Sequence, residues 1–222
     1  METDTAHRAW DRRWSTAEGR ADWLAPEPDV VALATGLAGR GGPVRALDLG
    51  CGVGRHALLF ARLGFDTSAV DLAEAGVAEV RRAAGEEGLE IDARIAPMTA
   101  LPFADGTFDY VLSFNVVYHG APEVVRAAIA EIRRVLKAGG LFQGTMLSRR
   151  NGAYGVGTAV APDTFVRDDD PEGAGGDKAH PHFYCDAAGL VALYEGFELL
   201  SLRDELHRKP GSWHWHMVAE RT

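Results

Sequence analysis

"LDLGCGVGRH", residues 47–56, sets Gly50, Gly52 and Gly54 at alternate positions, directly after an apolar run and directly before a helical pattern. Glycines at a strand-to-helix junction let the backbone turn sharply and approach a ligand with no Cβ in the way. The helix that follows offers free N–H groups at its first turn. Asp48 keeps a carboxylate just ahead of the loop, and Asp71 ends the next strand pattern, "FDTSAVD". In an open parallel sheet that second position is where a carboxylate binds ribose hydroxyls.

Outward from the loop, strand and helix patterns alternate. "RHALLFARLG" and "AEAGVAEVRRAAGEEG" read as helices, "LEIDARIA" and "GTFDYVLSFN" as strands. "APEVVRAAIAEIRRVLKAGG" puts Val124, Val125, Ala128, Ile129, Ile132, Val135 and Leu136 on one face and is expected to stop at Gly139-Gly140. "LFQGTML" is the next strand. Residues 148–181, rich in Gly, Asp and Pro, show no sustained period and read as a long loop over a site. The end is regular again: a helix "DAAGLVALYEG", a strand "FELLSLRDE", a charged turn "LHRKPGS" and a strand "WHWHMVAER". That last turn is too short for a parallel crossover, so the two final strands should pair antiparallel. The pattern predicts an α/β fold, an open and mostly parallel sheet covered by helices on both faces.

The 222 residues suit one domain: a helical cap over 1–40 that includes "PEPDVVALATGLAG", a cofactor-binding core over 41–147, a substrate-side loop over 148–181, and a C-terminal helix with an antiparallel strand pair over 182–222. A net charge of −9 argues against nucleic acid or an anionic membrane as partner. Cys51 and Cys185 stand far apart in no metal-type spacing, which fits a reducing compartment. No apolar run approaches the roughly 20 residues of a membrane span. The expectation is a cytoplasmic protein, monomer or homodimer, acting on a small molecule.

The glycine spacing is not the G-x-G-x-x-G of a dinucleotide fingerprint. A dinucleotide brings a pyrophosphate to the helix N-terminus. S-adenosylmethionine brings an ammonium instead, which Asp48 is placed to receive. "LDLGCGVGRH", "AVDLAEAG", "LPFADGTFDYVLSFNVVYH" and "EIRRVLKAGGLF", in this order, resemble the class I S-adenosylmethionine-dependent methyltransferases over roughly residues 40–147. The resemblance implies a Rossmann-like fold with a seven-stranded sheet whose last strand is antiparallel. It also implies a cofactor set. Asp48 receives the methionyl ammonium, directly or through water, Gly50, Cys51, Gly52, Gly54 and Arg55 form the loop and helix start, and Asp71 binds the ribose. Leu72, Met98 and Thr99 flank the adenine; Phe114 and Asn115 lie beside the methionyl arm. Pro97 stands where family members often carry an Asp for the adenine amino group.

"WDRRWSTAEG" at the N-terminus is similar to a segment of the thiopurine and tellurite-resistance methyltransferases, which implies that Trp14 covers the cofactor and that the acceptor is soft, a thiol or chalcogen. The alternative is a hydroxyl or amine acceptor with a histidine base, or a metal-assisted variant; further down stands a binding module without turnover. Tyr118, His119 and His182 are the candidate catalytic groups. The aromatic side chains of Tyr154, Phe165 and Tyr184 are expected to line the long loop. His180 and His182, and His214 and His216, stand two apart and so share strand faces. Such pairs can hold zinc, but they are read here as polar residues of a sheet face, and no metal is expected.

Overall fold

The computed structural model describes residues 5–167 and 176–222. Strand β1 (Arg45–Leu49) lies at the centre of the sheet and is buried from Ala46 onward. It runs parallel to β2 (Asp66–Asp71) on one side and to β4 (Phe108–Ser113) on the other. β3 (Ile91–Ile95) extends the first side, and β5 (Leu136–Ser148) the second. Parallel neighbours need crossover helices. The chain supplies α4 (Arg55–Arg62), α5 (Glu74–Glu87) and α6 (Pro122–Val135) after β1, β2 and β4.

β9 (Phe197–Leu206) and β10 (Trp213–Arg221) pair antiparallel, and β10 also pairs antiparallel with β5. The order β3-β2-β1-β4-β5-β10-β9 is the expected seven-stranded sheet, with the last strand of the chain inserted between β5 and β9. Strand order reverses between β1 and β4, so the carboxyl ends of these two strands open the crevice where such sheets bind ligands.

Helices cover both faces. On one, Val30 and Ala34 of α3 (Pro28–Ala38) pack with Phe60, Tyr110 and Leu112. On the other, Val125 and Ile132 of α6 meet Val111 and Phe142, together with Leu190 of α7 (Ala187–Leu193). The inner face predicted for α6 is correct, but the helix stops at Val135, before the glycines. Leu136 already pairs with Phe108, and the ladder shifts register before Tyr110 meets Leu141. Gly139 (φ +74°) belongs to that irregularity rather than to a helix cap.

Residues 148–181 are not a plain loop. β6 (Thr158–Ala161) and β7 (Thr164–Val166) form a hairpin, and β8 (His182–Cys185) pairs with β7 and with the end of β5, which brings the described strands of the sheet to ten. Thr158, Val160, Thr164 and Val166 supply the β-branched side chains that favour strands. Asp163 takes the left-handed turn (φ +53°), and Arg149 holds its carboxylate at 2.8 Å. Most of "RDDDPEGAGGD", expected as a solvated tip, lies outside the described residues. Tyr154, Phe165 and Tyr184 pack on one another, with ring centroids 5.4–6.0 Å apart, and form the core of the hairpin instead of lining a binding site.

At the N-terminus, α1 (His7–Trp14) lies across the crevice. Asp11 Oδ1 accepts the Ala75 N–H at the start of α5 (2.8 Å), and the Trp14 ring rests on Gly52 and Gly76. A Cβ on either glycine would come within 3 Å of that ring, so both must be glycine for the helix to seat. α2 (Ala17–Ala21) follows, capped by Thr16, whose Oγ1 accepts the Gly19 N–H at 3.1 Å. Among the described residues no helix is long and apolar enough to cross a membrane.

Candidate active site

One cavity runs from the glycine loop to His119. The loop forms its floor: Gly50 and Gly52 have left-handed backbone (φ +70° and +52°), and both line it. The Gly50 and Cys51 N–H groups donate to Val70 O at 2.8 and 3.0 Å, so the loop stays stitched to β2. Asp71 stands at the end of β2. Its Oδ2 accepts the Gly52 N–H (2.9 Å) and its Oδ1 the Ala73 N–H (2.8 Å). Each oxygen keeps a second lone pair for a hydroxyl. Desolvation raises the Asp71 pKa, against the pull of these N–H groups.

Leu72, Met98, Phe114 and Asn115 line the same cavity, as do Cys51, Arg55 and Trp14. Asn115 is held in the left-handed region (φ +62°), which asparagine tolerates better than most residues. Its N–H donates to Thr145 Oγ1 (2.8 Å), and that hydroxyl donates to its Oδ1 (3.1 Å). The Arg55 guanidinium donates to Glu27 (2.8 Å) and lies over the Trp23 and Phe114 rings. Burial, with Asp71 and Asp48 nearby, pushes the Cys51 thiol well above its usual range, so it serves as wall and not as nucleophile.

Three of the sequence-predicted cofactor residues do not line the cavity. Gly54 and Thr99 do not reach the cavity, and neither does Asp48. Gly54 starts α4 in left-handed conformation (φ +87°) against Val80. Asp48, 1 % exposed, accepts the Ala57 N–H at 3.0 Å, and burial raises its pKa to about 7. It supports the start of α4 from beneath the loop.

At the far end, His119 lines the cavity, with Tyr118 and His182 behind it. The His119 and His182 rings lie 4.8 Å apart, and Tyr118 is 4.7 Å from His119. The three predicted catalytic residues therefore form one cluster. Burial raises the Tyr118 pKa far above the usual phenol value, so it does not ionise. Burial lowers both imidazoles and keeps them neutral.

Sequence reasoning missed Asp177, which sits in a 3-10 turn (Asp177–Ala179) with Oδ2 3.4 Å from His182 Nε2 and 4.0 Å from His119 Nε2. It also missed His207, which stacks on His214 (3.9 Å between rings) and places Nε2 2.7 Å from His216 Nε2. His180 turns away to Thr5 Oγ1 (2.8 Å). Neither pair read from spacing stays a pair: His182 joins His119, and His214 and His216 are bridged by His207.

Comparison with known proteins accords with this geometry. A family model described as a methyltransferase domain matches residues 46–140. The ubiquinone biosynthesis O-methyltransferase of Cereibacter sphaeroides (strain KD131) is 30% identical over 181 residues, 79% of this chain and 68% of that protein. The chain belongs to the class I S-adenosylmethionine-dependent methyltransferase family. The enzyme of the same description from Roseobacter denitrificans is 38% identical over 111 residues, 50% of this chain and 44% of that protein, so the chain spans under half of that relative's length. Among solved structures, the Burkholderia thailandensis 1,6-didemethyltoxoflavin-N1-methyltransferase with bound S-adenosylhomocysteine superposes with TM-score 0.69 at 22% identity, over 98% of this chain and 88% of that one. TehB from Haemophilus influenzae gives 0.67 at 20% identity, over 95% and 67%. These two similarities establish the fold.

The methyltransferase cofactor, S-adenosylmethionine, fits the residues present. The loop offers bare backbone at Gly50 and Gly52, Asp71 faces the cavity with acceptor capacity for two hydroxyls, and Leu72 and Met98 give an apolar slot beside it. Arg55 is a buried cation in the same wall, suited to a carboxylate.

Proposed function

We propose that this methyltransferase acts on a hydroxyl oxygen of a small molecule. The observation that carries the reading is His119: a neutral, buried imidazole on the wall of the cavity that also holds the glycine loop and Asp71, with an Nε2 that has no partner. S-adenosylmethionine, when bound, supplies an electrophilic methyl group on a sulfonium. The chain must then align the acceptor and dispose of its proton. A thiolate needs little help, but a hydroxyl needs a group to take its proton as the new C–O bond forms. His119, backed by His182 and Asp177, stands where that proton would go. Trp10, Trp14 and Trp23 pack on one another and line the cavity, which gives an apolar, water-excluding roof suited to an aromatic acceptor. Relatives at 30–38% identity described as O-methyltransferases support an oxygen acceptor over the soft one implied by the N-terminal segment.

The test is transfer of labelled methyl from S-adenosylmethionine to a panel of phenols and vicinal diphenols against thiols, tellurite and amines. Turnover of phenols, lost in His119→Ala, is the expected result. Turnover of thiols or tellurite alone, unaffected by His119→Ala, overturns it.

A further inference from the structure

Two buried nitrogens in the histidine cluster lack partners. Among the described residues, His119 Nε2 and His182 Nε2 are enclosed and make no hydrogen bond. An orphaned buried polar atom destabilises the fold, and two facing one carboxylate need a shared explanation. The tautomer of His182 supplies part of it. Its Nδ1 lies 2.8 Å from the His180 carbonyl oxygen, which can only accept, so Nδ1 carries the hydrogen. In the neutral ring Nε2 is then a bare lone pair. That lone pair is aimed at Asp177 Oδ2, 3.4 Å away. Desolvation alone would raise the Asp177 carboxyl; the neighbouring Lys178 ammonium pulls the other way, and the carboxyl stays ionised. Two acceptors thus face each other with no proton of their own between them. The Lys178 ammonium, 3.9 Å from the same oxygen, offsets the carboxylate's charge but leaves both nitrogens unpartnered.

We propose that His119, Asp177 and His182 bind a divalent transition-metal ion of the zinc class. The three ligand atoms all lie within 4.8 Å of one another. Zinc–nitrogen bonds of about 2.0–2.1 Å place tetrahedral ligands roughly 3.4 Å apart. The 3.4 Å edge already has that length, and the 4.0 Å edge to His119 closes with a shift of about half an ångström. Two imidazoles and one carboxylate are the donor set that zinc and ferrous iron take in sites with open positions. The His180 carbonyl on His182 Nδ1 is the outer contact that fixes a ligating imidazole. With His119 on the cavity wall, the ion sits at the acceptor end. An ion on His119 Nε2 would occupy the lone pair that the reading above gives to the acceptor's proton, and would instead lower the pKa of an acceptor hydroxyl bound to it; that role rests on the reading above, and the binding of the ion does not. A second group, Asp29, Glu205 and His216, is partly exposed, and its two carboxylates already share the Arg203 guanidinium.

The experiment uses the whole chain, stripped with a chelator and titrated with Co²⁺ and then Zn²⁺. It reads visible cobalt absorption and bound metal per chain after dialysis. One equivalent is expected, with the cobalt spectrum displaced by zinc. Binding should weaken at least about 100-fold in His119→Ala, Asp177→Asn and His182→Ala and stay unchanged in His216→Ala. S-adenosylhomocysteine binding by each variant reports folding separately. Should the buried His182→Ala not fold, Asp177→Asn decides. No retained metal, or binding that survives Asp177→Asn and is lost in His216→Ala, overturns the proposal. Failure of the methyl-transfer test leaves these readouts untouched.

Discussion

The two ends of the cavity are built in opposite ways. At the glycine loop, the backbone and carboxylate groups are paired: the loop N–H groups donate to Val70 O and Asp71, and Asp48 caps α4, while the Trp14 indole nitrogen above them has no partner. At the histidine cluster, two buried nitrogens and a carboxylate are left facing one another. The first end is a finished cradle that a ligand joins without disturbing the fold. The second is a set of unmet demands, which is how groups that handle a proton or a cation are kept ready.

The sharpest way to break this contrast is to remove His119. If the ends are divided as cofactor side and acceptor side, His119→Ala should lower methyl transfer by about 10²–10⁴-fold. The Kd for S-adenosylhomocysteine, measured by calorimetry, should move less than about threefold. Loss of both together would mean that the histidine end belongs to cofactor binding. In the metal-free chain, where burial holds His119 neutral, the acid limb of the pH–rate profile should lie below the ordinary imidazole value of about 6.5. A limb above that value would remove His119 as the titrating group.

The converse test is smaller. Asp71→Ala takes away the proposed partner of the ribose hydroxyls and should weaken S-adenosylhomocysteine about 10–100-fold, as expected for charge-assisted hydrogen bonds. The loop also loses the anchor of its Gly52 N–H. Asp71→Asn, which keeps one acceptor oxygen, should recover part of the affinity. Unchanged affinity in Asp71→Ala would displace the ribose from this position.

The same contrast explains what the sequence disclosed. The loop end is local: Gly50, Gly52 and Asp71 lie within one strand-helix-strand unit, so their spacing encodes their geometry. The directions of the seven main strands follow from the same alternation and from the short turn before Trp213. The histidine end joins residues 119, 177 and 182, and no spacing rule links His119 to Asp177. Asp177 closes a run of Gly, Asp and Pro whose composition reads as solvated chain. The hairpin of β6 and β7 was hidden because each strand is only three or four residues long, below the length at which alternation is visible. Asp48 shows what spacing leaves out. Its position beside the loop is as read, but a strand residue points to one face only, and this one reaches beneath the loop to the Ala57 N–H.

That placement of Asp48 yields the smallest prediction. Its folded pKa is raised to about 7 from an ordinary 3.8, by desolvation. Between those values the folded state holds a proton that the unfolded state has released, so this group makes stability fall as pH rises through the window. The histidine cluster acts in the other direction. Its lowered pKa values mean that the unfolded state takes up protons first, so stability falls as pH drops below about 6.5. In the native chain the two trends oppose each other over part of the same range. Asp48→Asn keeps an acceptor for the Ala57 N–H and removes one trend. The difference in unfolding free energy between wild type and Asp48→Asn, from urea titrations between pH 5 and 7, should shift against the wild type by at most about 1.4 kcal/mol per pH unit. The variant alone should show the steeper acid loss that the histidines impose. A difference flat with pH would mean that Asp48 is ionised throughout, with a cationic partner, and the loop end would then hold an unmet charge of its own.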